Sequence, residues 1–182
     1  MSCIKAVRLF QSSLLLGLAL MLGACGFHLR GNTALPPGMQ RVHLDAKGDG
    51  YFQRHLERAL EISGATIEKE SGPGIAELRV PLARFSRESL TAGGYLRITE
   101  ASVRYRVRFD VVGADGEILV PRQSIELSRE YSYDASNAVG NSALVEELQR
   151  GLNDDMVQAI LFRLQAAGRH AASAPAAASS TP

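Results

Sequence analysis

Between residues 103 and 111 the chain alternates without a break. Val103, Tyr105, Val107, Phe109 and Val111 share one parity; Arg104, Arg106, Arg108 and Asp110 share the other. A period of two sends the two sets to opposite faces of a strand, whereas a helix would mix them. One face of this strand is therefore buried. The other carries three guanidinium groups that must meet water or carboxylates. A sheet built around such a strand is covered on one side only, and the rest of the chain has to supply the cover.

The flanking segments continue the two periods. Residues 41–45 (Arg41-Val42-His43-Leu44-Asp45) alternate and read as a first strand, entered through the rigid Leu35-Pro36-Pro37-Gly38 turn. Asp49 or Gly50 is placed to cap a helix over 51–62. In it Phe52, Leu56, Ala59 and Leu60 recur at spacings of three and four, and Ser63-Gly64 supplies the stop. A second strand is expected over 77–85, with Leu78, Val80 and Leu82 on one face. Pro81 within it has no amide donor, which requires an edge position or a bulge. The following loop, 86–96, contains the paired glycines Gly93 and Gly94.

After the alternating strand, Ala114-Asp115-Gly116-Glu117 reads as a hairpin turn of the kind whose two central residues take positive φ. A fourth strand follows over 122–133, with Ile125, Leu127, Tyr131 and Tyr133 in phase. Arg129 breaks that phase, through either a bulge or a partly wet face. A long helix is expected over 142–164, where Leu144, Leu148, Leu152, Met156, Ile160 and Leu164 recur every four residues. Gly151 inside it costs roughly 1 kcal/mol relative to alanine, and close packing of helix on sheet is one reason to keep it. Residues 166–182, rich in Ala, Ser and Pro, are expected to form a disordered tail. The order β-α-β-β-β-α, with a right-handed crossover making the first two strands parallel, specifies an α+β two-layer sandwich. Its four-stranded mixed sheet carries both helices on one face, leaving the Arg104, Arg106 and Arg108 face open.

Ahead of this domain lies a different texture. Lys5 and Arg8 precede an apolar block over 14–22, and the small residues Gly23 and Ala24 then lead to Cys25. That order is a secretory signal peptide, residues 1–24. The block is about half the roughly 20 apolar residues a spanning helix needs. Leu22-Gly23-Ala24-Cys25 resembles the bacterial lipobox, which implies that Cys25 becomes the acylated N-terminus of the mature chain. Acyl chains contribute about 0.8 kcal/mol per buried CH₂, so two or three of them make a stable anchor. With Cys3 removed, Cys25 has no disulfide partner and no CxxC spacing. Gly26 stands where inner-membrane lipoproteins carry aspartate, which implies export to the outer membrane.

The full chain has 20 basic and 19 acidic residues. Loss of Lys5 and Arg8 with the signal peptide leaves 18 against 19, a net charge of −1, which gives no argument for bulk electrostatic binding of nucleic acid. The charges are unevenly placed. Arg79, Arg84, Arg87, Arg97, Arg104, Arg106 and Arg108 face only Glu88 and Glu100 in the middle of the chain, and the following stretch to Asp155 is acidic. Arginine forks grip phosphate and carboxylate bidentately; equally, such a face can pair with acids on neighbouring strands. No GxSxG elbow, P-loop or HExxH motif is present, and His28, His43, His55 and His170 are scattered. The reading is of a non-enzyme with no cofactor, no metal site and no catalytic residue.

Taken together, Cys25-Gly26-Phe27-His28-Leu29-Arg30, the Pro-containing turn, the Val-His-Leu-Asp strand and the C-terminal helix resemble the LptE family of LPS-assembly lipoproteins. The likeness runs over residues 25–165. It implies an outer-membrane lipoprotein that plugs the lumen of the LptD barrel, supports barrel assembly and binds lipopolysaccharide. It also implies lipopolysaccharide contact by basic residues near the loop before the alternating strand, a role that Arg97 or Arg87 fills here. The family's second basic loop has no counterpart, since residues 134–141 contain no lysine or arginine. Arg104, Arg106 and Arg108 are expected to face the barrel wall, whose interior is polar. Two other classes share these features: a lipoprotein subunit of a different envelope lipid-transport system, and an accessory to a periplasmic hydrolase.

Overall fold

The computed structural model describes residues 35–90, 98–134 and 138–173. Cys25, Arg97, Gly93 and Gly94 lie outside the described residues. The elements follow as β1 (Arg41–Ala46), α1 (Gly50–Ile62), β2 (Thr66–Glu68), β3 (Ala76–Ser89), β4 (Ile98–Val112), β5 (Ile118–Asp134) and α2 (Ala138–Ser173). They build one mixed sheet in the order β2-β1-β3-β4-β5. β1 runs parallel to both β2 and β3, and the β3-β4-β5 meander is antiparallel.

The sheet has five strands, not four. β2 is three residues long, too short to show a period, and it forms because β1 offers it a ladder: Arg41, Val42 and His43 pair with Thr66, Ile67 and Glu68. The Arg41 guanidinium reaches the Glu68 carboxylate at 2.7 Å and fastens this edge. Asp49 is the residue that caps α1, its Oδ1 accepting the Phe52 amide at 2.7 Å. Ser63 and Gly64 close it, with Gly64 at φ +96° and its amide donating to the Glu61 carbonyl at 2.9 Å.

Pro81 sits at a bulge, where the β3–β4 register shifts between Arg79 and Leu82. The β1 ladder stops one residue earlier, at Val80, so the missing proline donor falls where β3 has no neighbour on that side. The extra residue inverts the parity of everything after it. Leu78 and Val80 point into the core, but Leu82 pairs with Arg108 on the opposite face, contrary to the simple alternation.

The β4–β5 turn also departs from expectation. Among the described residues positive φ is confined to glycines, so Gly116 adopts it (φ +86°) while Asp115 does not. The connection is a wider loop in which Asp115 Oδ1 accepts the Glu117 amide at 3.0 Å and the Gly113 amide donates to the Glu117 carbonyl at 2.7 Å.

Both helices cover one face. Phe52, Leu56 and Leu60 of α1 and Leu152, Met156, Ile160 and Leu164 of α2 pack on Val42, Leu44, Leu78, Val80, Val103, Tyr105, Val107, Phe109 and Val111. The four-residue ridge of α2 does not stay buried along its length. At about 100° per residue each step of four advances about 40°, and Leu144 at the start of the ridge is 37% exposed. Arg129 keeps its phase, since β5 remains in register with β4 there. It lies on the helix side and donates to Asp155 of α2 at 2.6 Å. Its guanidinium passes over Gly151, where an added Cβ would lie 3.0 Å from Nη1. The expected disordered tail begins as helix: α2 runs through Ser173, and Ala167 packs against the core. Alanine-rich sequence is the best helix former, and no proline intervenes before Pro175.

Candidate functional site

With both helices on one side, the even-numbered residues of β4 face outward on the other. Arg104, Arg106 and Arg108 stand in register with Ser86, Arg84 and Leu82 of β3 and with Ser128, Glu126 and Ser124 of β5. Leu82, Arg84, Ser86, Glu88 and the three β4 arginines line a shallow depression of about 360 Å³. Serines flank Arg104 on both neighbouring strands and Arg108 on β5, whereas Arg106 lies between Arg84 and Glu126.

The charges on this face are unequally matched. Arg106 Nε donates to Glu126 Oε2 at 2.6 Å. Arg104 Nη1 donates to Glu88 Oε1 at 3.2 Å, and its Nε lies 3.0 Å from Glu126 Oε1 without hydrogen-bond alignment. Nearer the hairpin, Asp110 is 3% exposed and clamped from both neighbouring strands. Arg79 donates to Oδ2 through Nε at 2.7 Å and also through Nη2. Arg122 donates to Oδ1 through Nε and Nη2 at 3.1 Å each. Arg84 and Arg108, both exposed, have no hydrogen bond or ion pair among the described residues.

Arg87 does not join this group. It is in register with the core residue Val103, so it projects on the helix side of the sheet, and its guanidinium lies 5.9 Å from the Tyr133 ring centroid. Arg84 is the residue that sequence reasoning passed over. Counted from Leu78 and Val80 it has the parity of the core, and only the bulge at Pro81 turns it outward.

Two histidines have structural roles. His55 Nδ1 lies 3.0 Å from Asp154 Oδ1, tying α1 to α2, beneath the stacked Tyr51 ring at 4.0 Å between centroids. His43 Nδ1 lies 3.0 Å from the Glu68 carbonyl oxygen. No group of three or more potential metal ligands occurs among the described residues. The geometry presents a polar, arginine-rich sheet face.

A family model described as "LptE: Lipopolysaccharide-assembly" matches residues 39–164, which takes in every strand and most of α2. The chain belongs to the LptE family. Among relatives, an LPS-assembly lipoprotein LptE of Photorhabdus laumondii is 24% identical over 148 residues, covering 77% of this chain and 81% of that protein. An LPS-assembly lipoprotein LptE of Yersinia enterocolitica is 27% identical over 158 residues, covering 83% of this chain and 73% of that one. The fold is shared with solved lipoproteins. Lipoprotein B of Nitrosomonas europaea superposes with a TM-score of 0.62 at 24% identity, over 81% of this chain and 94% of its own. Rare lipoprotein B of Shewanella oneidensis gives 0.61 at 18% identity, over 71% and 97%. This LptE-family chain thus has the two-layer α+β architecture of those lipoproteins, with its arginines distributed over both faces of the sheet.

Proposed function

We propose that this LptE-family chain is an outer-membrane lipoprotein, anchored through acylated Cys25, whose domain (residues 25–165) sits in the lumen of an LptD-type barrel. There it supports barrel assembly and contacts lipopolysaccharide, without catalysing a reaction. The observation that carries the reading is the open sheet face. It is polar along β4 and β5, with Arg104, Arg106 and Arg108 outward and neither of the described helices over it. A protein that only had to stay soluble has no need of so long an uncovered sheet, whereas a polar barrel interior is a surface it suits.

In this reading Arg97 and Arg87 are the lipopolysaccharide contacts and the β4 arginine face meets the barrel. Affinity purification of the mature chain from outer membranes should bring down a large barrel identifiable as LptD by mass spectrometry. Arg97→Asp should weaken lipopolysaccharide binding by the folded chain and leave barrel association intact. Purification with the components of another lipid-transport complex, or with a hydrolase, in place of the barrel would refute the assignment.

A further inference from the structure

We infer that Arg84 and Arg108 form a two-pronged docking site for carboxylates of a protein wall. This deepens the barrel reading above and rests on it. Around the depression four guanidinium groups (Arg84, Arg104, Arg106, Arg108) meet two carboxylates, Glu88 and Glu126. Both carboxylates are committed to Arg104 and Arg106, which leaves two positive charges in excess. They fall on Arg84 and Arg108.

The placement of Arg84 is unfavourable for the isolated chain. It stands directly across from Arg106 in the β3–β4 ladder, and like charges directly opposite each other destabilise a sheet. Arg108 stands across from Leu82 and Ser124, neither of which can neutralise it. An acidic partner surface relieves both positions at once. Arginine supplies a planar fork suited to bidentate carboxylate pairing, and Leu82 gives the Arg84 and Arg108 stems an apolar floor.

The face is also polarised. Across from Ser102 the outward side chain of β5 is the exposed Glu130 carboxylate. A wall presenting acids at the Arg84–Arg108 end therefore accepts the domain in one orientation and repels the reverse, so the site sets the way the plug is seated as well as its affinity.

The test uses the full mature chain and its LptD-type barrel, with association measured over a salt series. Arg84→Gln combined with Arg108→Gln should weaken association on the order of tenfold at physiological salt and flatten its salt dependence. The free chain's thermal midpoint should hold or rise, because a repulsive cross-strand pair has been removed. Arg84→Lys with Arg108→Lys, which keep the charge but lose the fork, should fall between wild type and the glutamine pair. Unchanged association of the folded glutamine variant would overturn the inference and leave the barrel reading standing. Loss of lipopolysaccharide binding with barrel association intact would overturn it in favour of a phosphate ligand at the same arginines. Failure of the wild-type chain to bind the barrel would remove both.

Discussion

Asp110 is a carboxylate almost closed off from water, and two arginines from opposite neighbours satisfy it. The Arg79 and Arg122 side chains are 40% and 65% exposed, so they recover hydration if the carboxylate is lost, and the cost falls mainly on its unmade hydrogen bonds. Asp110→Asn should therefore lower stability by about 1–3 kcal/mol, read as a fall in the urea midpoint with unchanged slope. Tyr105 poses the complementary case. Its side chain is buried against Phe52, with ring centroids 5.8 Å apart at 81°. Burial pushes its hydroxyl pKa well above the ordinary value near 10, and the negative charge of Asp49 adds to the shift. The folded state thus holds the neutral phenol while the unfolded chain ionises. That contribution is intact below about pH 10 and is lost as pH rises beyond it. Tyr105→Phe should flatten the alkaline fall in stability, measured as urea midpoints from about pH 9 to pH 12. The phase of Tyr105 was legible from alternation alone; the partners of Asp110 were not, because Arg79 and Arg122 lie 31 and 12 residues away in sequence.

At the scale of elements, α2 shows where local composition misleads. An Ala-rich end next to a Ser/Pro-rich segment reads as tail. Yet the helix passes through it, and Ala167 packs against the core. Arg169 lies 5.9 Å from the Phe162 ring and closes over that last turn. Stopping the chain after Gln165 should cost about 1 kcal/mol or more through lost burial and a frayed end. Stopping after His170 should change stability by less than about 0.5 kcal/mol. Thermal midpoints of the two truncations separate the cases, and equal midpoints would mean that the last turn contributes nothing. β2 failed to register for the opposite reason. Three residues cannot show a period, and its existence depends on the free edge of β1.

For the whole molecule, the buried core among the described residues runs from Met39 to Leu164, the span of the family match, with Leu35 and Ala167 packed against it. Anchoring and folding should therefore be separable. Cys25→Ser should leave the chain unprocessed or released from the membrane while its thermal midpoint stays at the wild-type value; an intact precursor or an unmodified thiol on the mature wild-type chain would end the lipid assignment. By itself the sequence determined the two layers, the buried and open faces of β4, the order of every element but β2, and the lipobox-like order that puts a cysteine after the apolar block. All of these rest on periods of two and 3.6 or on neighbours within a few residues, and such signals are local. Only the tertiary structure decided which arginines remain free. That outcome depends on cross-strand register and on one extra residue at Pro81, which turns Arg84 outward, sets it against Arg106 and leaves Glu88 and Glu126 to other partners. Register is a pairing of distant segments, and a one-residue shift exchanges every face beyond it.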